Sequence, residues 1–403
     1  MPIRAIIFDV SGTLLGPSGP VAGIADLWAF CETHDIACIL AANEPIHIAM
    51  LHAAGYYGKV EHTPATLRIP KPSTLYVTEP LRQLGIQPSE AIYVGNSDKT
   101  DAYCAANAKV LYIRAGWAPK PGQQYGIALA SVRELLHFID LYLLKSTPWY
   151  WTTSGTDTAG RRYSYQAVAE CRSIHTSPLQ EVLTEAATHV LKVDTSYNPA
   201  AAARYLPFFQ SHLLASLYLS GLAQRAQVWA VMPGHLVRAQ EHTVLTPFVA
   251  QASIQTRGRP APLLMRHTDA PSSREERNTV GQAQFVTQVR TVQLSARDRD
   301  QVVGKRVLVL DDFITDGYSG EWARTLLLAA GASEVMCAAV GKFPRKNGQS
   351  FAVQVPRPET LITPFQPSAL TANDFAALPV GERRTAAAQS DLLRSFTLFQ
   401  QWY

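Results

Sequence analysis

Residues 307–319 read Val-Leu-Val-Leu-Asp-Asp-Phe-Ile-Thr-Asp-Gly-Tyr-Ser. Four consecutive apolar residues are typical of a strand buried on both faces. The stretch 320–330 that follows has the composition of a helix. A buried strand, a turn containing Thr and Gly, and then a helix are the repeating pattern of a parallel sheet covered by helices. The sequence therefore predicts an α/β fold here.

Further elements are predicted on both sides of this stretch. The predicted strands are 189–193, 228–232 and 335–340, and the predicted helices are 164–174, 200–226 and 320–330. We expect a doubly wound domain over 164–403, with a core at 189–342 and a tail at 343–403.

The N-terminal part of the chain repeats the same alternation. Short β-rich runs at 4–9, 37–41, 91–95 and 110–113 alternate with helical stretches, and a helix at 131–145 closes the series. We expect a second doubly wound domain over 1–145. The residues 146–163, which contain Pro148 and a Trp-Tyr-Trp cluster, are predicted to be a linker.

The length and composition agree with two globular domains. The chain has 403 residues, of which 47% are hydrophobic and 17% are charged, and a domain has on the order of 150 residues. The net charge of +4, without a block of five like charges, does not indicate nucleic-acid binding. No signal-peptide core and no long uncharged apolar run are present, so we expect a cytoplasmic protein without a membrane partner.

The five cysteines are scattered without a Cys-x-x-Cys pair, which excludes a zinc ribbon and favours buried, reduced thiols. They are Cys31, Cys38, Cys104, Cys171 and Cys337.

Four motifs follow one another in the N-terminal part. They are Asp9-Val10-Ser11-Gly12-Thr13-Leu14, Leu40-Ala41-Ala42-Asn43, Lys71-Pro72 and Gly95-Asn96-Ser97-Asp98-Lys99-Thr100-Asp101. In this order they resemble the motifs of the haloacid dehalogenase (HAD) superfamily. The resemblance implies a HAD-like Rossmannoid fold, and the short segments between the motifs imply an open cleft without a cap domain.

The resemblance also implies roles for particular residues. Asp9 would be the nucleophile that attacks phosphorus, Lys71 would hold the phosphate, and Asp101 would support Lys71. Thr13 and Asn43 would lie beside the phosphate. The implied cofactor is Mg²⁺, held by Asp9, Ser11 and Asn96.

Three departures from the HAD pattern weaken the case for a phosphatase. Ser11 stands at the general-acid position, where a hydroxyl cannot supply the proton transfer. Ala42 replaces a phosphate-binding hydroxyl, and Asn96 replaces a carboxylate, which weakens Mg²⁺ binding. We expect this domain to bind a phosphorylated metabolite or to hydrolyse it slowly.

The stretch 307–319 resembles the phosphoribosyl pyrophosphate (PRPP) motif of type I phosphoribosyltransferases. The resemblance implies that Asp311 and Asp312 contact the ribose hydroxyls. The turn made of Thr315, Asp316, Gly317, Tyr318 and Ser319 would present backbone N–H groups and a helix N-terminus to the 5′-phosphate.

An upstream loop fits the same family. Pro233, Gly234 and His235, with Arg238 after them, stand where the family has its pyrophosphate loop. The arginines Arg274 and Arg277 and the Asn278 that follows resemble the ComF-like branch. Two features depart from the pattern: Asp316 stands where Thr is usual, and the ComF-like zinc ribbon is missing.

The function predicted from these resemblances is PRPP-dependent phosphoribosyl transfer to, or from, a base-like nitrogen acceptor. The predicted partner is PRPP or a nucleotide-like small molecule. A homodimer or an operon-encoded protein partner is compatible with the sequence. Two alternatives stay open: a non-catalytic nucleotide or PRPP sensor, and a nucleotide-consuming effector in stress or phage defence.

Overall fold

A computed structural model describes most of the chain. It covers residues 2–157, 160–172, 177–192, 199–237, 241–271, 276, 285–344 and 381–403, and the backbone alone at 351–354 and 376–379. The chain divides into two compact units. The first comprises Met1–Ser146, Leu217–Gln224 and Ile254–Arg257, and the second comprises Thr147–Ser216, Arg225–Ser253 and Gly258–Tyr403.

The first unit is built on a six-stranded parallel sheet. Its strands are β1 (Ala5–Asp9), β4 (Ala37–Ala41), β5 (Val60–His62), β6 (Ala91–Gly95), β7 (Leu111–Ala115) and β8 (Ile127–Leu129), beside a two-stranded ribbon of β2 (Leu15–Gly16) and β3 (Gly19–Pro20). The order across the sheet is β5-β4-β1-β6-β7-β8. The strand β1 is therefore central, and its last residue, Asp9, is paired in register with Ala41 of β4.

Helices connect these strands. They are α1 (Ile24–Thr33), α2 (Pro45–Ala53), α3 (Pro64–Leu67), α4 (Leu75–Leu84), α5 (Tyr103–Ala108) and α6 (Val132–Phe138), with a 3₁₀ turn at Pro88–Glu90 and π-helical turns at Asp98–Ala102 and Ile139–Leu143. Side chains of the central strands, such as Ile7, Ile39 and Tyr93, are fully buried among them. Burial on both faces explains why these strands read as continuous apolar runs.

The second unit contains a seven-stranded mixed sheet. Its strands are β9 (Trp151–Thr156), β10 (Arg162–Glu170), β11 (Val228–Val231), β12 (Arg259–Pro260), β15 (Arg306–Ile314), β16 (Glu334–Lys342) and β19 (Arg383–Arg384). The order is β12-β11-β15-β16-β10-β9-β19. The strands from β12 to β10 run parallel, whereas β9 and β19 are antiparallel to their neighbours. Two further antiparallel pairs are β13 (Leu264–Arg266) with β14 (Val292–Leu294), and β17 (Phe351–Gln354) with β18 (Ala376–Pro379).

The remaining helices are α7 (Pro178–Leu191), α8 (Pro199–Leu219), α9 (Leu222–Arg225), α10 (Leu245–Ile254), α11 (Phe285–Thr291), α12 (Tyr318–Ala329) and α13 (Ala386–Trp402), with a 3₁₀ turn at Arg299–Val302. The helix α12 buries Trp322, Ala323 and Leu326 in the core of the second unit. This spacing is that of one helix face packed on a sheet. Both units are thus α/β, and the predicted fold class is confirmed.

Several predicted elements were wrong. The proposed linker 146–163 contains β9 and the start of β10, the proposed helix 164–174 lies largely in β10, and the proposed strand 189–193 begins inside α7. The helix predicted at 200–226 is divided into α8 and α9. Residues of β10 are good helix formers locally, but pairing with β9 and β16 on both sides decides their conformation.

Within the described ranges, no helix is long and apolar enough to cross a membrane. All five cysteines are buried and free of disulfides, as predicted.

Candidate functional sites

The first candidate site lies at the carboxyl ends of β1 and β6. Asp9 ends β1, and Asp101 lies in the π-helical turn that follows β6. Lys71 reaches them from the segment between α3 and α4. These three side chains are almost completely buried. Ligands of open parallel sheets bind at this edge, so the fold places the predicted residues where chemistry is expected.

Lys71 binds both carboxylates directly. Its Nζ donates to Asp9 Oδ1 at 2.5 Å and to Asp101 Oδ1 at 2.8 Å. The Tyr93 hydroxyl donates to the same Asp101 oxygen at 3.1 Å. The Thr13 hydroxyl donates to Asp9 Oδ2 at 3.2 Å, so both oxygens of Asp9 are engaged. The site is a buried, hydrogen-bonded charge network centred on one ammonium group.

The electrostatics of the network follow from its burial. Burial and the Asp101 carboxylate raise the pKa of Asp9 to about 6, against the lowering effect of Lys71 and Thr13. Burial by itself would lower the pKa of Lys71, but Asp9 and Asp101 outweigh it and raise that pKa. Asp9 is therefore mostly ionised at neutral pH, and Lys71 is charged.

The side chain of Asn43, a predicted phosphate-binding residue, holds the main chain of Lys71 in place. Its Oδ1 accepts a hydrogen bond from the Lys71 N–H at 3.0 Å. The amide N–H of Asn96 donates to Asp101 Oδ2 at 3.1 Å. The predicted residues Asp9, Thr13, Asn43, Lys71, Asn96 and Asp101 are thus brought together. Ser11 is exposed at the border of this cluster.

Two of the predicted magnesium ligands, Ser11 and Asn96, are in direct contact. The Asn96 side chain donates from Nδ2 to the Ser11 carbonyl at 3.1 Å, and its Oδ1 is buried without a partner. The Asn96 N–H group therefore faces the Ser11 carbonyl. The Asp9 carboxylate is bound to Lys71. Asp9, Ser11 and Asn96 offer a carboxylate, a main-chain carbonyl and a buried, unpartnered amide oxygen, which would hold Mg²⁺ if the Asn96 amide turned this oxygen toward the ion.

The close approach of Asn96 also explains Gly12. The backbone of Gly12 has φ of +78°, and a Cβ at this position would lie 2.1 Å from Asn96 Nδ2. Only glycine can stand here without moving the Asn96 amide.

The second candidate site lies at the end of β15. Asp311 and Asp312 occur in this strand, Thr315 and Asp316 follow it, and α12 begins directly after Gly317. Gly317 has φ of +81°, a left-handed conformation that turns the chain into the helix. The local sequence therefore produces the strand–turn–helix arrangement that the motif predicts.

A cavity opens at this strand–turn–helix junction. Its lining includes Asp311 and all five residues of the turn predicted to bind the 5′-phosphate, Thr315, Asp316, Gly317, Tyr318 and Ser319. Tyr165 and Met232 line it from the neighbouring elements. Asp312 is not among the lining residues, because successive side chains of a strand point to opposite faces. Instead, Asp312 Oδ2 lies 3.5 Å from Lys192 Nζ.

Burial and the neighbouring Asp312 carboxylate raise the pKa of Asp311 well above its ordinary value. The Asp312 N–H donates to Asp311 Oδ1 at 2.9 Å and partly offsets this effect. Asp311 is therefore a carboxyl group whose negative charge is disfavoured until a compensating group arrives.

The predicted pyrophosphate loop follows β11 but does not line this cavity. Pro233, Gly234 and His235 are described, whereas Arg238, Arg274 and Arg277 lie outside the described residues. The buried guanidinium of Arg266 donates through Nε to the Gly234 carbonyl and at 2.5 Å to the Thr291 hydroxyl. Arg266 thus holds the loop in place.

Two buried cationic side chains contact these loops, and the sequence analysis assigned a role to neither of them. Arg266 contacts Gly234, and Lys342 Nζ donates to the Thr315 carbonyl at 2.6 Å. The only signal for Lys342 was a charged residue at the end of an otherwise apolar strand.

No family model matches this chain, and a search of curated proteins gives no significant match. Among solved structures, it is similar to CbbY from Rhodobacter sphaeroides in complex with phosphate, with 19% identity over 33% of this chain and 96% of that one and a TM-score of 0.29. A HAD-family hydrolase from Deinococcus radiodurans R1 with bound phosphate and sodium has 15% identity over 33% and 93%, with a TM-score of 0.29. A HAD-superfamily hydrolase from Geobacter sulfurreducens has 18% identity over 33% and 98%, with a TM-score of 0.24. At such low identities and TM-scores, these likenesses decide neither the activity nor the site of this chain.

Proposed function

We propose that the C-terminal unit is a type I phosphoribosyltransferase of the ComF-like kind, which moves a phosphoribosyl group between PRPP and a nitrogen atom of a base-like acceptor. The observation that supports it is that Asp311 and the residues 315–319 line one cavity at the end of a buried strand. A ribose phosphate needs both an acid for its hydroxyls and an anion-binding turn for its phosphate.

In the proposed reaction, the bond between ribose C1 and the pyrophosphate oxygen breaks, and a bond from C1 to the acceptor nitrogen forms. Pyrophosphate leaves with the electron pair, and the acceptor nitrogen loses a proton. Positive charge develops on the ribose in between. The Asp311 carboxylate, whose charge is disfavoured in the free site, is stabilised when that charge appears beside it. A Mg²⁺ ion that accompanies PRPP would be held mainly by oxygens of PRPP itself.

The test is pyrophosphate release from PRPP and Mg²⁺ in the presence of a mixture of bases. We expect release by the wild type that depends on the bases, and loss of at least about 100-fold in the variant with Asp311→Asn and Asp312→Asn. The exposed Asp300→Asn is the matched control. Release that persists in the double variant contradicts the proposal, and binding of PRPP without release favours the sensor.

For the N-terminal unit we propose, in keeping with its HAD-like motifs, binding of a phosphate monoester with slow hydrolysis at most. The buried Lys71 ammonium beside Asp9 supports anion binding. Both Asp9 oxygens already accept hydrogen bonds, and Ser11 cannot protonate a leaving group, so nucleophilic attack is disfavoured.

Phosphate release from monoesters tests this second proposal. We expect a slow wild-type rate that Asp9→Asn abolishes and that the exposed Asp26→Asn leaves unchanged. A rate that Asp9→Asn does not alter would show that this network has no hydrolytic role.

A further inference from the structure

A buried lysine lies directly against the proposed phosphate loop. Lys342 ends β16, where it is paired in register with Ile314 of β15, and its side chain is 1% exposed. Its Nζ donates to the Thr315 carbonyl at 2.6 Å and to the Phe343 carbonyl at 3.0 Å. We propose that Lys342 is a positioning residue that builds the 5′-phosphate site through the main chain of residues 315 and 316, an inference that rests on the proposed function.

The geometry of the peptide bond supports this role. The bond between Thr315 and Asp316 is trans, so its C=O and N–H groups point in opposite directions. Because Lys342 holds the Thr315 carbonyl, the Asp316 N–H points away from the lysine. Thr315 and Asp316 line the cavity and Lys342 does not. The loop thus separates the lysine from the cavity, and the lysine aims an N–H donor toward the ligand side.

The charges around the loop independently support the positioning role of Lys342. Asp316 lies in the loop and lines the cavity, where a carboxylate repels a phosphate. A buried ammonium one hydrogen bond from the loop opposes that repulsion. It acts through a protein interior, where charges are screened less than in water.

The ammonium is held in place from its other side. Its Nζ lies 5.2 Å from the centre of the Trp151 ring, and Trp151 is itself 1% exposed. The Trp151 Nε1 donates to Glu382 Oε2 at 3.1 Å. Lys342 therefore has little freedom to leave the Thr315 carbonyl, as a positioning residue requires.

Calorimetric titration of the full-length chain with two probes tests the role. Ribose 5-phosphate probes the 5′-phosphate site, and pyrophosphate probes the other anion site of PRPP. We expect Lys342→Met to weaken ribose 5-phosphate binding by at least about 10-fold, the usual effect of losing a hydrogen bond from a charged group. Pyrophosphate binding should stay unchanged, and Lys342→Arg should restore most of the ribose 5-phosphate affinity.

The control is Arg306→Met. Arg306 also donates to a main-chain carbonyl, that of Arg225 at 2.7 Å, but it lies at the opposite end of β15. The Arg306→Met substitution should leave the affinities for ribose 5-phosphate and for pyrophosphate unchanged. If Lys342→Met does not fold, Lys342→Gln, which keeps a donor without the charge, serves for the same measurement.

Three results are decisive. Equal weakening of both probes by Lys342→Met means a general structural role and overturns the inference, as does no weakening of either. If the wild type binds neither ribose 5-phosphate nor PRPP, the proposed function itself fails.

Discussion

Each unit gathers two aspartates at the carboxyl edge of a parallel sheet, but the two pairs have different partners. In the first unit, Asp9 and Asp101 share the buried ammonium of Lys71, at 2.5 and 2.8 Å. In the second unit, Asp311 faces a cavity. The cation nearest to that pair in the described structure, Lys192, is half-exposed and lies 3.5 Å from Asp312.

The difference shows that the position of an acid in the fold does not determine what it can do. An aspartate whose oxygens are both bound within the protein keeps a buried cation paired and attacks poorly. An aspartate that lies at a cavity, with no ion pair of its own among the described residues, carries its charge at a cost and is available to a ligand. The first site is therefore a charge network closed by Lys71, and the second site has a carboxyl group open to a cavity.

The largest expected effect comes from neutralising each pair. Asp9→Asn with Asp101→Asn leaves Lys71 buried without its counter-charges, and we expect a loss of about 3–5 kcal/mol in the free energy of unfolding. Asp311→Asn with Asp312→Asn removes an unfavourable charge and should leave stability unchanged or raised. Urea unfolding of both variants measures this contrast, and equal losses would remove the distinction between the sites.

The pH dependence of stability should show the cost of ionising Asp311. The pKa of Asp311 is raised on folding, so below its ordinary value the group is neutral in both states and has no effect. As the pH rises, the unfolded chain ionises freely and the folded chain resists, so wild-type stability falls. We expect the stability advantage of Asp311→Asn to grow from pH 4 to pH 7 in unfolding experiments. An advantage that shrinks with rising pH would contradict the burial argument.

A smaller effect is expected at Asp9. The Thr13 hydroxyl donates to Asp9 Oδ2 and lowers its pKa, which burial and Asp101 hold at about 6. Thr13→Val keeps the shape of the side chain and removes the donor, so the pKa of Asp9 should rise. Carboxyl ¹³C NMR of labelled aspartate measures it, with the exposed Thr33→Val as a control. A pKa that falls would mean that the hydroxyl does not donate to Asp9.

The smallest effect is expected at Lys192. This side chain is 47% exposed, and an exposed ion pair contributes about 0.2–1 kcal/mol. Lys192→Ala should therefore weaken PRPP binding only slightly, by about fivefold or less. A titration that shows complete loss of binding would mean that Lys192 contacts the ligand directly.

The sequence predicted the central strands well because burial on both faces leaves a continuous apolar run. The strands at 37–41 and 91–95 agree with the structure to the residue. The strand β10 was missed because its residues favour a helix locally, and pairing with distant strands decides its conformation. The strand predicted at 189–193 was wrong because its first residues continue a helix that begins earlier in the chain. The helix α7, which begins at the Ser177 cap and Pro178, continues to Leu191.

The candidate sites were predicted where a motif carries the residues in one short segment, as in 315–319. The fold brought Lys71 and Asp101 to Asp9, as the HAD resemblance implied. Lys342 and Arg266 could not be predicted in this way, because each acts on a loop that is distant in the chain. Nor could the sequence show that the Asn96 amide donates to the Ser11 carbonyl.

Binding of PRPP in the cavity beside Asp311 can be measured by calorimetric titration of PRPP with Mg²⁺ into the wild type and into the variant with Asp311→Ala and Asp312→Ala. We expect saturable binding to the wild type and none to the variant, with unchanged folding of both. Binding that persists in the variant, or no binding to a folded wild type, would contradict this expectation.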